Sequence, residues 1–113
     1  MAIKISGTTV INDQAEIATG LVSLYERVFS VGVSTTLQNR DFCSVTTQGT
    51  TITLPVTPSS GNQVTIKVGN FINTVVGRNG NNIMSLAENM TINTAYSTVD
   101  LIYVNSTQGW EIT

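Results

Sequence analysis

The stretch TTITLPVTPSSGNQVTIKVG, residues 50–69, contains two short runs of alternating apolar residues on either side of a loop. In the second run Val64, Ile66 and Val68 recur at every other position, so they share one face of a strand. Pro55 places the first run at a sheet edge or at the end of a strand. The segment between the runs is rich in Pro, Ser, Gly and Asn, which predicts a loop. The stretch therefore predicts a strand, a loop and a second strand.

Similar runs recur along the rest of the chain: AIKIS, GTTVIN, YERVFSVGV, RDFCSVTT, NTVVG, MTIN, VDLIYVN and GWEIT. Turn signals separate them at spacings of about 8–12 residues, as in an all-β sandwich or barrel. Composition agrees, since Thr occurs 18 times, Asn 11 and Ser 10, while charged residues make up 11%. Threonine suits strands, and Asn and Ser suit turns. The sequence predicts an all-β fold, specifically an antiparallel, jelly-roll-like β-sandwich with a short N-terminal strand or helical segment.

The run YERVFSVGV alternates over its whole length, so one face of the predicted strand holds Tyr25, Arg27, Phe29, Val31 and Val33. The segment before it departs from strand patterning. Asp13 and Glu16 have the spacing of a capping box, which predicts one or two helical turns over residues 14–23.

The apolar residues of this N-terminal segment follow a heptad-like spacing: Ile17, Leu21, Leu24 and Val28. Such a stripe packs either on the chain's own sheet or on other copies of the chain, as a short trimeric stalk. The sequence thus predicts an N-terminal arm or oligomerisation segment over residues 1–24 and a β-sandwich domain over residues 25–113.

Charge and hydropathy exclude several classes of protein. The net charge is −2 and the five basic residues are scattered, so the basic patch that nucleic-acid binding requires is not predicted. No apolar run reaches the roughly 18 residues of a membrane span. The N-terminus lacks the apolar core of a secretory signal, so synthesis in a cytosol is expected. The single cysteine, Cys43, is predicted to pack as a small hydrophobic side chain.

Few side chains here carry catalytic chemistry. The sequence has no histidine and one cysteine, which removes the commonest general base and an ordinary zinc site. The seven carboxylates are dispersed, so no calcium-binding cluster is predicted. Glu88 and Asp100 would form a glycosidase-like acid and base only if folding brought them together, and each also fits an ordinary solvated charge. The sequence therefore predicts no enzyme, no cofactor and no metal site.

A second stretch, VVGRNGNNI at residues 75–83, has three interpretations. A phosphate-binding loop of the Walker type needs a lysine after its last glycine and then a helix, whereas here asparagine and strand-like residues follow. The Asn-Gly pair at 79–80 tolerates positive φ at both positions, which favours a type I′ hairpin turn. The third interpretation is a contact with the hydroxyls of a sugar through Arg78, Asn81 and Asn82.

Three stretches together resemble a module common in tail-fibre and other appendage proteins of tailed bacteriophages: TITLPVTPSSGNQVTIKV, VVGRNGNNIMSLAENMTIN and VDLIYVNSTQGWEIT. The module combines a strand ending in L-P-x-x-P-x-x-G-D, an N-V-T-V-x-R-N-G-x-x-I turn and strand, a short acidic step and a final hairpin closing on Trp. The matching positions are Leu54, Pro55, Pro58, Gly61, Val75, Arg78, Asn79, Gly80, Ile83, Leu86, Glu88, Asn89, Tyr103, Gly109 and Trp110. Asn62 departs from the pattern, since Asp is usual there. The resemblance covers roughly the last 80 of the 113 residues, and the first dozen loosely.

The resemblance implies a homotrimer in the virion, made in the host bacterial cytoplasm. A small β-domain leaves sheet edges that packing around an axis would cover. We therefore expect a non-enzymatic structural protein, such as a small tail fibre, collar or adaptor, that contacts itself and other virion proteins. Two alternatives stay open: a capsid decoration protein, or a carbohydrate-binding module that contacts host surface glycans through Trp110, Tyr103 or Arg78. Trp110 is expected in the core, because it follows a turn and alternates with Ile112.

Overall fold

The computed structural model describes residues 24–113, which form nine β-strands and no helix. One sheet contains five strands, in the spatial order β1 (Arg27–Val31), β3 (Asp41–Val45), β5 (Gln63–Val68), β8 (Thr98–Asn105) and β9 (Gly109–Ile112). The other sheet contains four, in the order β2 (Thr35–Thr36), β4 (Thr51–Thr53), β6 (Thr74–Gly77) and β7 (Met90–Ile92). The all-β prediction is confirmed for this part of the chain.

From β1 to β6, successive strands lie alternately in the five-stranded sheet and in the four-stranded sheet. β1, β3 and β5 lie side by side and parallel, and so do β2, β4 and β6. The chain therefore winds as a short coil with one sheet on each side, as in a β-solenoid. The remaining strands are antiparallel: β7 pairs with β6, while β8 and β9 extend the five-stranded sheet beyond β5.

The antiparallel pairing predicted for a jelly-roll-like sandwich is therefore wrong for the first six strands. Alternating apolar residues report which face of a strand is buried, and they do not report which strand lies beside it. The connections at 32–34, 46–50 and 69–73 carry the chain from the five-stranded sheet into the other sheet rather than back along the same one. Neighbouring strands are consequently two apart in sequence, an arrangement that no local turn signal encodes.

The core draws on both sheets and is built from columns of stacked side chains. In the five-stranded sheet the register places Phe29 beside Cys43 and Cys43 beside Ile66. The buried apolar residues are Leu37, Cys43, Val45, Ile52, Leu54, Val64, Ile66, Val68, Val76, Ile83, Ile92, Leu101, Tyr103 and Trp110. The prediction that Val64, Ile66 and Val68 face inward is confirmed, and so is the burial of Trp110, whose ring meets Tyr103 edge-on at 5.5 Å.

Two strand predictions are refined by the structure. The run predicted to extend through Val33 ends at Val31, because the chain turns at Gly32 toward the second sheet, and Val33 is exposed there. Pro55 lies just past the end of β4, so of its two predicted placements the strand end is the correct one. The predicted helical turns over residues 14–23, and the predicted strands AIKIS and GTTVIN, lie outside the described residues.

Cys43 is fully buried, which confirms its predicted role as a small hydrophobic side chain. Burial, with a smaller contribution from the carboxylate of Asp41, raises the pKa of its thiol to about 11, while the charge of Arg27 opposes the shift. Because the thiolate is the form that attacks alkylating reagents, we expect iodoacetamide to label the native protein at pH 8 far more slowly than the urea-unfolded chain. Equal labelling rates would contradict the burial.

The raised pKa of Cys43 also determines in which direction the free energy of unfolding changes with pH. The thiol ionises with a pKa of 9.0 when unperturbed and about 11 in the fold, so only the unfolded chain loses its proton between these values. The contribution of Cys43 to the free energy of unfolding is complete below about pH 9 and declines as the pH rises toward 11.

Candidate functional site

The Asn-Gly turn forms as predicted. Asn79 and Gly80 have φ values of 50° and 85°, and the N–H of Asn81 donates to the carbonyl oxygen of Arg78 at 3.1 Å. Both central residues thus adopt the left-handed conformation of a type I′ turn. The turn does not directly join β6 to β7, however, because β7 begins only at Met90.

A second tight turn follows immediately and was not predicted. Ile83 and Leu86 exchange two backbone hydrogen bonds of 2.9 Å each, and the residues between them, Met84 and Ser85, both have positive φ. Methionine and serine carry no turn signal comparable to Asn-Gly, so the sequence offered no means of finding it. The turn packs along β9, since Met84 N–H donates to the carbonyl oxygen of Trp110 at 2.7 Å.

The three residues proposed for glycan contact lie on these turns, and the side-chain amides of Asn81 and Asn82 are engaged inside the protein. The side-chain amide of Asn81 donates to the carbonyl oxygen of Val56 at 3.3 Å. The side-chain amide of Asn82 donates to the carbonyl oxygen of Thr107 at 2.8 Å. The backbone N–H of Arg78 donates to the Asn89 side chain at 2.9 Å. The two amides fasten the turn region to separate loops, and this geometry assigns them a structural role.

The contribution of the Asn-Gly turn to the free energy of unfolding can be measured by substituting Gly80. Gly80→Val is expected to destabilise the fold by about 1–2 kcal/mol, because a β-branched side chain is strained at positive φ. A Cβ at this position would meet no atom within 4 Å, so backbone conformation alone accounts for the loss. Urea denaturation measures it, with Gly80→Asn as the tolerated control. A Gly80→Val variant that kept its stability but lost a binding activity would contradict the structural role.

An ion pair with a buried carboxylate holds the first strand of the five-stranded sheet. Asp41 is fully buried and accepts hydrogen bonds from Arg27 Nε at 2.8 Å, from Arg27 Nη2 and from the Gln38 N–H at 2.7 Å. The guanidinium also lies 4.9 Å from the ring centroid of Phe29. The hydrogen bonds to Asp41 are the main cause of a raised Arg27 pKa. Sequence reasoning missed this pair, since only the parallel register places Arg27 beside Asp41.

A hydrogen-bonded chain joins Tyr25 to the outer face of the same sheet. The Tyr25 hydroxyl lies 3.0 Å from the hydroxyl of the buried Thr65, which donates to Asp100 Oδ1 at 2.6 Å. Beside these residues is a cleft of about 130 Å³, which Leu24, Gln63 and Thr113 also line.

A second, more apolar cleft of about 140 Å³ lies beside the turn at residues 83–86 and is lined in part by Glu88. Glu88 and Asp100 thus line separate clefts and form no acid–base pair.

The N-terminal strands of both sheets lie at one end of the coil. We call this the open end, and define it as the outer edges of β1 and β2 with the side chains of Val28 and Val33. Within residues 24–113 no strand pairs with either edge. The two side chains are 70% and 69% exposed. Of the four residues predicted for an oligomer interface, Val28 lies here and Leu24 lines the cleft beside Tyr25. Ile17 and Leu21 lie outside the described residues.

The described residues contain neither a candidate metal-binding cluster nor a candidate membrane-spanning helix. Between residues 24 and 113 no three His, Cys, Asp or Glu side chains are grouped so as to hold a metal ion. In the same part of the chain no helix has the length and apolarity needed to cross a membrane.

Comparisons with known proteins do not show a family. No family model matches the sequence, and no curated protein matches it. One solved structure that matches part of the chain is described as "Structure of a chaperone-substrate complex". The two are 17% identical, with a TM-score of 0.46, and the match covers 77% of this chain and 12% of the other. The chain therefore spans about an eighth of the length of that structure's chain.

Proposed function

We propose that the chain is a non-enzymatic structural component of a bacteriophage virion, a small tail-fibre, collar or adaptor protein that assembles as a homotrimer. The sequence resemblance supports the virion assignment and the threefold symmetry. The observation that carries the proposal on the structural side is the exposure of Val28 at the open end, since Val28 is one of the four residues expected from the sequence at an interface between copies.

Association through the open end is energetically reasonable. Fully burying a valine side chain contributes about 1.5–3 kcal/mol, and two such side chains, Val28 and Val33, are more than half exposed there. The net charge of −2 opposes contact between copies only weakly. Contacts repeated around a threefold axis would add these contributions for each copy.

The use of the polar side chains also supports a structural role. Asp41 binds an edge strand to its neighbour, and Asn81 and Asn82 tie loops together. The side chain of Asn105 accepts hydrogen bonds from the N–H groups of Thr107 and Gln108 within the last hairpin. These groups position backbone rather than converge on a common point where a substrate would lie.

Glycan binding is the second candidate function, and one observation favours it. The cleft beside Tyr25 combines a phenol ring, the Gln63 amide and the Asp100 carboxylate, groups that recognise sugar hydroxyls. The burial of Trp110 removes it as an exposed stacking platform, so a glycan would bind through Tyr25 instead. Weak binding of host oligosaccharides that Asp100→Ala abolishes would favour this function.

Quantitative mass spectrometry of purified virions tests the proposal. A copy number of a few per particle would support a tail, collar or adaptor position, and hundreds of copies would instead indicate capsid decoration. Absence of the protein from purified particles would contradict a virion role altogether.

A further inference from the structure

We propose that Met84 is an oxidation site, at which a peroxide converts the thioether into a sulfoxide and thereby releases the end of β9 from the turn at residues 83–86. The site consists of the outer edge of β9, the exposed side chain of Met84 and a hydrogen bond to its sulfur. The inference goes beyond the proposed function, because it holds or fails whether or not the protein belongs to a virion.

The turn covers an edge of the five-stranded sheet. β9 is the last strand of that sheet. The Trp110 N–H donates to the carbonyl oxygen of Asn82 at 2.8 Å, and the Trp110 carbonyl oxygen accepts from Met84 N–H at 2.7 Å. The Ser85 N–H donates to the carbonyl oxygen of Gln108 at 2.9 Å. Because an uncovered edge presents unpaired backbone groups to other chains, the turn protects the sheet at this position.

The sulfur of Met84 continues this row of acceptors. Successive residues of a strand point their backbone groups to opposite sides, so Trp110 and Ile112 both direct their N–H groups away from β8. The backbone of the turn accepts from Trp110, and Met84 Sδ accepts from the Ile112 N–H at 3.4 Å. A thioether sulfur is only a weak acceptor, so the last contact of the row depends on a sulfur lone pair.

Exposure distinguishes Met84 from the other methionine of the described residues. The side chain of Met84 is 43% exposed. Met90 lines the same apolar cleft of about 140 Å³, but it is partly buried and packs against the core. Since a peroxide reaches the sulfur from solvent, the more exposed thioether is expected to be oxidised first.

The chemistry of oxidation disrupts the contact with Ile112. A sulfur lone pair attacks one oxygen of hydrogen peroxide, the O–O bond breaks and an S–O bond forms. The sulfur loses two electrons, and the peroxide is reduced to water. An oxygen on the lone pair that faces Ile112 would lie between two atoms only 3.4 Å apart, too close for an N–H···O bond of about 2.7–3.2 Å. An oxygen on the other lone pair leaves a sulfur with partial positive charge, which no longer accepts from the N–H.

The turn depends on its contacts with β9. Met84 and Ser85 have φ values of 52° and 66°, a conformation that is unfavourable for residues other than glycine. The hydrogen bonds to β9 offset this cost, so loss of one of them favours movement of the turn away from the strand. Oxidation is therefore expected to uncover the Ile112 end of β9 and to leave the rest of the sheet folded.

Amide hydrogen exchange of the full chain, followed by NMR before and after treatment with hydrogen peroxide, tests the inference. Peptide mass spectrometry is expected to find the sulfoxide at Met84 before Met90. Once Met84 is oxidised, the Ile112 N–H is expected to exchange at least about tenfold faster, while amides of β3 and β5 keep their rates. Oxidation of Met90 first would overturn the proposed site, and an unchanged Ile112 rate would overturn the proposed release.

A matched pair of variants assigns the response to one sulfur. Met84→Leu and Met90→Leu each remove one thioether and keep every other sulfur of the chain. Met84→Leu is expected to exchange the Ile112 N–H rapidly without peroxide and to show no further acceleration with it. Met90→Leu is expected to keep the slow rate and the response of the wild type. A Met84→Leu variant that still responds, or a Met90→Leu variant that does not, would overturn the inference.

Discussion

Gly109→Ala is expected to destabilise the protein by about 4 kcal/mol, the sum of overpacking and a left-handed backbone at a non-glycine residue. Gly109 has a φ of 69°, and an added Cβ would lie 1.9 Å from the carbonyl oxygen of Asn82 and 2.8 Å from its Cα. These are backbone atoms, so no side-chain rotation relieves the clash. Asn82 would have to move, which breaks the hydrogen bond that its carbonyl oxygen accepts from Trp110.

Gly61→Ala is the matched control for this prediction. Gly61 also has positive φ, at 92°, but a Cβ there would meet nothing within 4 Å. It is expected to cost about 1 kcal/mol, the backbone term alone. Urea denaturation of both variants measures the difference. If the two substitutions cost the same, the close approach of Asn82 to Gly109 is wrong.

Asp41→Ala is expected to destabilise the protein by about 2–4 kcal/mol, because it removes a buried acceptor of charged hydrogen bonds. The Arg27 guanidinium and the Gln38 N–H would both lose their partner. This destabilisation is at the lower end of the range for removing one partner of a buried ion pair. The Arg27 side chain is 45% exposed, so water replaces part of the lost interaction. β1 would then be held to β3 by its backbone ladder and by packing.

Asp100→Ala provides the comparison for Asp41. Asp100 is exposed and accepts one side-chain hydrogen bond, from Thr65, so its removal is expected to cost about 1 kcal/mol. Chemical denaturation at neutral pH separates the two values. Equal losses would mean that the Arg27–Asp41 pair contributes no more than a surface contact.

Features set by a few neighbouring residues were predictable from the sequence. The burial of Val64, Ile66 and Val68 follows from strict alternation, and the positive φ of Asn79 and Gly80 follows from their residue types. The burial of Trp110 was likewise expected from its position after a turn. Each of these depends on local backbone geometry and on the exclusion of apolar side chains from water.

Features set by distant pairing were not predictable. The parallel coil depends on which strands meet, and Arg27 and Asp41 become partners only because β1 and β3 lie in register. The positive φ of Met84 and Ser85 is imposed by the hydrogen bonds of their turn to Trp110 and Gln108, against their own preferences. In both cases tertiary contacts determine the outcome, and the short-range pattern carries no trace of them.

A paired set of variants isolates the proposed assembly through the open end. Val28→Asp combined with Val33→Asp places two charges at the open end. Val56→Asp combined with Leu86→Asp makes the same chemical change at side chains that are 61% and 55% exposed elsewhere on the surface. Both double variants are expected to fold, because none of the four side chains belongs to the core.

Native mass spectrometry of the full chain at micromolar concentration tests the claim most directly. The wild type and the Val56→Asp, Leu86→Asp variant are expected to be trimers. The Val28→Asp, Val33→Asp variant is expected to be a folded monomer, since a charge at the interface costs more than the apolar burial it replaces. A monomeric wild type would contradict the account, and so would a trimer that the open-end substitutions leave intact.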